Sequence, residues 1–267
     1  MTPEERYLFD LQGFLFIPGA IPLGLVQQMN DEIDKLEPLS DADAAQLGFD
    51  RKYHDDKKSG WSEEYDPTRP RDYDCNILRI GGPFEALIDC PRIQPYIDAM
   101  INEPLRLDGY MFMVRNQGHY SGLHHGYAEL LSYSEFAIDE REFKCVSVKV
   151  AYALRDVSIE EGSFAVIPGS HKSNFDNPFE RTAPNANHPL IEPCPCKAGD
   201  AVIFTEDLTH GSMINQSKKT RRTLFISYAP AFQSPWGKLV DTADGFKERA
   251  TSRQLELIKG PSPFAIV

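Results

Sequence analysis

The sequence has no cluster of basic residues. Its 267 residues include 28 Lys and Arg against 40 Asp and Glu, which gives a formal net charge of −12. Nucleic acids and anionic membranes attract clustered Lys and Arg, so this charge balance argues against both as partners. The same acidity makes a large acidic carrier protein a weaker candidate partner, although it does not exclude one.

The sequence also has no long apolar run, and we expect no secretory signal from its opening residues. No apolar run approaches the roughly 18 residues that cross a bilayer, and the opening residues Met1-Thr-Pro-Glu-Glu-Arg are polar and acidic. The 5 cysteines are an odd number scattered along the chain, which indicates reduced thiols. We therefore expect a cytoplasmic protein without a membrane span.

The motifs of two large enzyme classes do not occur. There is no Gly-x-Ser-x-Gly elbow of a hydrolase, and no Gly-rich phosphate loop precedes a Lys-Ser or Lys-Thr pair. The sequence also lacks internal repeats, low-complexity tracts and linkers. We expect one domain over residues 1–267.

The spacing of apolar residues predicts helices first and strands later. Apolar residues recur at helical intervals over about 22–37, behind a proline at a position suited to a first helical turn. From Leu105 onward the runs are short. In the segment 146–154 the larger apolar residues recur at every second position and share one face: Val146, Val148, Val150, Tyr152 and Leu154. Helices followed by many short strands predict a mainly β fold, a sandwich or barrel with flanking helices.

Residues 39–74 follow neither periodicity and are rich in Asp, Lys, Ser, Tyr and Pro. A segment of this length without a pattern is typically functional or disordered. We interpret it as an active-site lid, with Arg69, Arg71 and Tyr73 as candidate substrate contacts. A solvated surface loop is the alternative interpretation.

Two separated histidine motifs indicate metal chemistry. His124 and His125 lie in a glycine-rich stretch, and His210 lies 86 residues after His124 with Arg221 following 11 residues later. Glycine next to His124 and His210 lets a backbone or a ligand approach closely. Iron(II) favours imidazole ligands on one face with open positions, and an arginine beyond the second histidine suits a carboxylate of a co-substrate.

Three segments resemble one family over nearly the whole chain. They are FDLQGFLFIPGAI, VSVKVAYALRDVSIEEGSFAVIPGSHKSNF and AGDAVIFTEDLTHGSMINQSKKTRRTLFISYAP. The chain resembles the phytanoyl-CoA dioxygenase-like superfamily of Fe(II)/2-oxoglutarate oxygenases. The resemblance implies a double-stranded β-helix, also called a jelly roll and cupin-like. It implies iron ligands at His124 and His210, 2-oxoglutarate bound by Arg221 and Ser212, and O₂ as co-substrate.

The sequence departs from this family at Gly126. The family has His-x-Asp or His-x-Glu at the first ligand, but here Gly126 stands where the carboxylate belongs. In this respect the chain is similar to the radical aliphatic halogenases, in which Gly or Ala makes room for chloride or bromide on the iron. We therefore favour radical halogenation of an aliphatic C–H bond of a small molecule.

Two alternatives remain open. In the first, the protein is a hydroxylase whose third ligand is water or a remote carboxylate, from Glu129 or Asp207, or whose histidine ligand is His125. In the second, a family member without catalytic activity serves as a binding protein.

Other residues near the motifs have weaker assignments. Arg115 and Tyr120 precede the metal-binding stretch and face either the pocket or solvent. His125 alternates away from the iron if this stretch is extended, which places it behind the ligands. His171 follows an Ile-Pro-Gly-Ser turn, where a structural role is favoured. The pattern does not select among small-molecule substrates.

Overall fold

Two antiparallel β-sheets form the centre of the computed structural model, which describes residues 1–53, 71–126, 138–139, 141–173, 175–235 and 239–262. The strands are β1 (Phe14–Ile17), β2 (Arg51–Tyr53), β3 (Tyr73–Cys75), β4 (Leu105–Arg115), β5 (Ser121–His124), β6 (Ile138–Asp139), β7 (Glu142–Phe143), β8 (Val148–Ala153), β9 (Phe164–Val166), β10 (Glu192–Cys194), β11 (Ala201–Thr205), β12 (His210–Ser212) and β13 (Arg221–Pro230). Among the described residues, the larger sheet has the order β1-β11-β8-β13-β4-β3-β2 and the smaller one β10-β9-β12-β5. Every strand pair is antiparallel.

Helices cover the outer face of the larger sheet. They are α1 (Pro3–Gln12), α2 (Leu23–Leu36), α3 (Asp41–Gln46), α4 (Gln94–Ile101), α5 (Phe246–Arg249) and α6 (Ser252–Leu257), with short 3₁₀ helices at Ile77–Ile80, Gly82–Leu87 and Ser170–Lys172. No helix of the described ranges is long and apolar enough to span a membrane.

The strands of the larger sheet divide their side chains between two hydrophobic clusters. In β13, Leu224 and Ile226 belong to the cluster under the helices, whereas Phe225 between them belongs to the cluster between the sheets. In β8, Val150 and Tyr152 likewise face the helices. This alternation follows from the two-residue period of a strand, and it leaves the interior between the sheets for the functional side chains.

The predicted fold class, mainly β with flanking helices and a jelly roll, is confirmed. The helix predicted over 22–37 is α2, and its buried residues lie on one face. The segment Phe84–Ile88, which has helical spacing, instead forms most of a 3₁₀ helix. Helix α1 was not anticipated from its mixed composition. It is fixed at its ends, because Thr2 and Glu5 form a capping box and Gly13 adopts φ 83° at its C-terminus.

The segment 39–74 is more ordered at its ends than its composition predicts. It begins with α3 and β2, and it ends in β3, which pairs with β4 inside the larger sheet. Tyr73 is buried, and its hydroxyl donates to a Glu37 carboxylate oxygen at 2.9 Å, so its side chain faces α2. Arg71 is exposed. Arg69 and residues 54–70 lie outside the described residues, so the lid interpretation stays a prediction there.

His171 joins the end of the β9 region to helix α1. Its Nε2 donates to the Asp10 carbonyl at 3.1 Å, and a Cβ on Gly13 would lie 2.5 Å from its Nδ1. Burial lowers the pKa of His171 to about 4. The structural role favoured from the sequence agrees with these contacts.

We expect His171 to make the protein less stable as the pH falls from about 6.5 to about 4. In the unfolded chain a histidine titrates near about 6.5, so in this window the unfolded state binds the proton and the folded state does not. The free energy of unfolding then falls by on the order of 1 kcal/mol per pH unit from this residue. His171→Gln should therefore flatten the pH dependence of the urea midpoint between pH 4 and 6.5. His188→Gln is the matched control, and parallel profiles of His171→Gln and wild type would contradict the expectation.

Candidate functional site

His124 and His210 face each other across the smaller sheet. His124 ends β5 and His210 begins β12, and the two residues are direct partners in the β5–β12 pair. The centroids of their rings are 4.3 Å apart. The sheet therefore brings together two imidazoles that are separated by 86 residues in sequence.

Backbone carbonyls fix the orientation of both rings. His124 Nδ1 donates to the Gly122 carbonyl and His210 Nδ1 donates to the Leu208 carbonyl, each at 2.7 Å. In each case the acceptor is the carbonyl of the residue two positions before the histidine. The hydrogen is held on Nδ1, so each Nε2 carries the lone pair that binds a metal ion.

Electrostatics keep both imidazoles neutral. Burial lowers the pKa of His124, with partial opposition from its bond to Gly122 and from the charge of Glu206. Burial, followed by the effects of His124 and Lys149, lowers the pKa of His210 well below its usual range. A metal ion binds the neutral form of histidine, so the pair is in the correct state near neutral pH.

Aromatic and glycine residues hold the pair in place. The rings of Phe204 and Phe164 pack against His210 at centroid distances of 4.6 and 5.7 Å. A Cβ on Gly122 would lie 2.6 Å from the Arg181 carbonyl oxygen, and one on Gly211 would lie 2.6 Å from the Ser121 carbonyl oxygen. The glycines beside the two histidines therefore permit close backbone packing, which is one of the two roles expected from the sequence.

Arg221 is a buried cation without a carboxylate partner among the described residues. It is 4% exposed, its Nε donates to Thr223 Oγ1 at 2.9 Å and its Nη1 donates to the Gly162 carbonyl at 2.7 Å. Burial, with the nearby charge of Arg115, lowers its pKa to about 10. The guanidinium remains charged at neutral pH, and a buried charge is costly unless an anion compensates it.

Ser212 belongs to the smaller sheet, and Arg221 reaches toward the same end of β9 from the larger sheet. It pairs with Phe164 across β12 and β9, and Gly162, which accepts from Arg221, lies two residues before Phe164. The Ser212 hydroxyl accepts from the Ser121 N–H at 2.9 Å, which leaves its own hydrogen for another acceptor. Both residues predicted to bind 2-oxoglutarate thus border the same end of β9.

The structure separates Arg221 from its neighbour Arg222. The Arg222 side chain crosses to α2, where it donates to Asn30 at 2.8 Å and to Asp34 at 2.6 Å and also contacts Glu37. Adjacent residues of a strand point to opposite faces. Only Arg221 therefore faces the interior between the sheets.

The remaining predicted residues have mixed positions. Arg115 is buried, and its Nη1 donates to Asp74 at 2.9 Å, so it belongs to a polar network and not to solvent. Tyr120 is also buried. His125 is partly buried, and it makes the smallest of the contributions that lower the pKa of His210. Glu129 lies outside the described residues.

A carboxylate that the sequence did not single out lies beside Gly126. The carbon atoms of the Glu206 side chain occupy the space that a Cβ at position 126 would need. The proposed Asp207 lies elsewhere, since its carboxylate accepts from Thr205 Oγ1 at 3.3 Å. In β11, Val202 and Phe204 face the interior between the sheets, and the same parity directs Glu206 inward and Asp207 outward.

As placed, the described residues contain no group of three or more His, Cys, Asp and Glu side chains arranged to hold a metal ion. The two imidazoles nevertheless fit an iron ion, because their Nε2 atoms are left for a ligand bond and their Nδ1 atoms are fixed. Sequence reasoning also missed Lys149, which donates to Glu206, and Thr223, which accepts from Arg221. Their polar side chains inside apolar strands were the available signal.

A cavity of about 400 Å³ lies beside Arg221 and is also lined by Arg155, Lys218 and Lys219. It contains neither His124 nor His210. We therefore assign the metal-binding region to the histidine pair and not to this cavity.

Comparison with known proteins agrees with this geometry. The family model described as "Phytanoyl-CoA dioxygenase (PhyH)" matches residues 9–223. The chain belongs to this family.

Among curated members, it is 30% identical over 106 residues to the dioxygenase olcK of Penicillium canescens, which is 40% of this chain and 33% of that protein. It is also 30% identical over 91 residues to the dioxygenase trt7 of Aspergillus terreus, which is 34% of this chain and 30% of that protein. The chain thus spans about a third of the curated relatives it matches.

Solved structures extend the similarity over most of the chain. HygX from Streptomyces hygroscopicus with nickel and 2-oxoglutarate bound is 26% identical with a TM-score of 0.68, covering 89% of this chain and 90% of HygX. The epimerase SnoN from nogalamycin biosynthesis is 18% identical with a TM-score of 0.60, covering 85% and 82%, and shows the shared fold. The family match supports the predicted Fe(II)/2-oxoglutarate-dependent oxidoreductase. HygX binds 2-oxoglutarate with nickel in one structure and iron in another, which agrees with the predicted cofactors Fe(II), 2-oxoglutarate and O₂.

Proposed function

We propose that the protein is an oxygenase that oxidises an aliphatic C–H bond of a small molecule. The observation that carries this proposal is the pairing of His124 with His210, with both Nδ1 atoms held by carbonyls. In this proposal the two Nε2 atoms bind Fe(II). The bound iron, with 2-oxoglutarate and O₂, supplies the oxidant that removes hydrogen from the substrate while 2-oxoglutarate is converted to succinate and CO₂.

Arg221 is proposed to bind the far carboxylate of 2-oxoglutarate. Its guanidinium is buried, charged and bonded only to neutral oxygen atoms in the described part of the chain. A carboxylate would supply the missing counter-charge through bidentate hydrogen bonds. Ser212 has a hydrogen to donate to the same group.

The protein's own residues also shape the reaction space. Phe164, Phe204 and Phe225 form a cluster of tilted rings beside His210. These apolar rings exclude water from one side of the imidazole pair and strengthen electrostatic interactions there. A dry wall of this kind protects a reactive intermediate of the substrate from side reactions with solvent.

Hydroxylation has more support than the halogenation favoured from the sequence. Halogenation requires that Gly126 leave a space for chloride or bromide. The Glu206 side chain lies in that space, and its negative charge would repel a halide. The known relatives are described as dioxygenases, an epimerase and a carbocyclase, and these descriptions likewise give halogenation no support.

A small organic molecule is the proposed substrate class. HygX has been solved with hygromycin B bound, at 25% identity and a TM-score of 0.69 over 94% of this chain and 95% of HygX. The net charge of −12 favours neutral or cationic substrates over polyanions at long range.

Anaerobic spectroscopy of the wild-type protein tests this function. Adding Fe(II) and 2-oxoglutarate should produce a charge-transfer absorption band, and admitting O₂ should then produce succinate. If neither the band nor succinate forms, the oxygenase assignment is wrong and the binding-protein alternative is favoured.

Titration with chloride and bromide then separates the two reactions. We expect the band to be unchanged by millimolar halide, because Glu206 occupies the space beside Gly126. A halide-dependent shift of the band would instead support halogenation. Sodium sulfate at equal ionic strength is the control for general salt effects.

A further inference from the structure

Gly126 has no conformational reason to be glycine. Its backbone is not among the glycines with positive φ, so any residue could adopt its conformation. The constraint is space, because a Cβ there would overlap Glu206 Cγ and would lie 2.6 Å from Cδ and 2.5 Å from Oε1. The N–H of Gly126 also donates to the Glu206 carbonyl at 2.8 Å, which fixes the two backbones against each other. Position 126 is therefore glycine because the Glu206 side chain lies against it.

The Glu206 carboxylate is buried and only half paired. The residue is 4% exposed, and its Oε1 accepts from Lys149 Nζ at 2.7 Å. Its Oε2 is buried without a hydrogen-bond partner in the described part of the chain. An unpaired buried carboxylate oxygen is costly, and it is well suited to bind a cation.

The Glu206 side chain lies against Gly126, two residues from His124. Its negative charge raises the pKa of His124 against the larger effect of burial, and Lys149, its ion-pair partner, lowers the pKa of His210. It precedes His210 by four residues, on the connection from β11 to β12. Gly126 follows His124 by two residues, which is the position of the carboxylate ligand in the family's His-x-Asp or His-x-Glu motif. The side chain from position 206 thus occupies the region that a side chain from position 126 would otherwise fill.

We propose that Glu206 is the third protein ligand of the iron, with Oε2 as the donor atom. This inference rests on the proposed function, since it requires iron at the histidine pair. Binding requires the Glu206 side chain to rotate about its dihedrals toward the imidazoles. Lys149 is partly exposed on a flexible side chain, so it can follow Oε1 during that rotation.

The relocated carboxylate preserves the chemistry of the site. Two imidazoles and one carboxylate on one face of iron leave open positions for 2-oxoglutarate and O₂. The ligand type is the same as in the family's usual motif, but it comes from the β11–β12 connection and not from the end of β5. Asp207 fits this role less well, because its charge raises the pKa of Cys145, which is buried under the helices, in addition to the main effect of burial.

Cobalt(II) binding with and without Glu206 tests the assignment. Co(II) is a spectroscopic substitute for Fe(II), and its absorption reports the number and type of ligands. Glu206→Gln keeps the shape of the side chain but removes its charge. We expect its Co(II) affinity to fall by about 100-fold or more, since loss of even an outer partner of a ligand costs about 10- to 100-fold. The Co(II) spectrum should change as well. Asp207→Asn is the matched control and should bind Co(II) like the wild type.

A transfer of the carboxylate gives a second test. Gly126→Asp alone should clash with Glu206, lower the melting temperature and weaken Co(II) binding. The double variant Gly126→Asp/Glu206→Ala frees the space and provides a carboxylate at the usual position of the family. We expect its Co(II) affinity to return to within about 10-fold of wild type. Circular dichroism of each metal-free variant establishes that it is folded, and Glu206→Asp replaces Glu206→Gln if the latter does not fold.

The outcomes separate this inference from the proposed function. If wild-type protein binds neither Co(II) nor 2-oxoglutarate, the proposed function is wrong. If wild type binds both and folded Glu206→Gln binds Co(II) with the same affinity and spectrum, only the ligand assignment is wrong, and the Lys149–Glu206 pair is structural. A folded double variant that binds Co(II) no better than Glu206→Gln would show that a carboxylate at position 126 does not replace the one at position 206.

Discussion

Replacing His124 or His210 with alanine is expected to abolish Fe(II) binding and all 2-oxoglutarate turnover. In each ring Nδ1 is bonded to a carbonyl at 2.7 Å, which leaves Nε2 for a metal ion. Loss of an outer partner of a metal ligand costs about 10- to 100-fold in affinity. Removal of the ligand itself should therefore cost more than about 100-fold.

His125→Ala is the control for this prediction. His125 is adjacent to His124 but is not paired with His210 across the sheet. The variant should keep Fe(II) bound, as measured by anaerobic calorimetry. If His125→Ala lost iron while His124→Ala kept full affinity, the assignment of the ligand to position 124 would be incorrect.

The second large effect is expected for the co-substrate. Arg221→Leu should weaken 2-oxoglutarate binding by about 30-fold or more, because breaking a buried charge pair typically costs about 2–5 kcal/mol. The affinity of the Fe(II)-loaded protein for 2-oxoglutarate, measured by anaerobic titration, checks this result. Metal affinity should be unchanged, since Arg221 lies on the larger sheet and the histidines on the smaller one.

Arg222→Leu is the matched variant from the same strand. Its guanidinium is directed to α2, so 2-oxoglutarate affinity should be close to that of the wild type. The variant should instead lower the free energy of unfolding by about 1–3 kcal/mol, because the buried Arg222 side chain loses its bonds to Asn30 and Asp34. The loss stays moderate because Asp34 is largely exposed. A larger loss of 2-oxoglutarate affinity in Arg222→Leu than in Arg221→Leu would assign 2-oxoglutarate binding to Arg222 and contradict its assignment to Arg221.

The sequence was sufficient to predict the parts of the site that depend on local patterns. The glycines around His124 and His210 indicated tight packing, and the structure has both residues paired across β5 and β12. The opposite orientations of Arg221 and Arg222 agree with the two-residue period of a strand. These placements could be anticipated because each depends on one strand or on one pair of neighbouring residues, and the roles of the residues stay predictions.

Glu206 could not be predicted in the same way. Its position depends on how the β11–β12 connection packs against the residue after β5, which is a contact between segments 80 residues apart. The parity of β11 distinguishes Glu206 from Asp207, but only once the interior face of that strand is known. Similarly, β3 was missed within residues 39–74, because its three residues are defined by pairing with β4 and have no period of their own.

The burial of the two histidines also affects how protons would accompany metal binding. Burial lowers the pKa of both imidazoles, so both are uncharged near neutral pH before any metal arrives. Metal uptake then displaces almost no protons from these ligands, and the heat of binding should not depend on the ionisation enthalpy of the buffer. If iron binds at this pair as proposed, we expect its uptake over a broad range of pH, without the competition from protons that weakens sites built from exposed histidines.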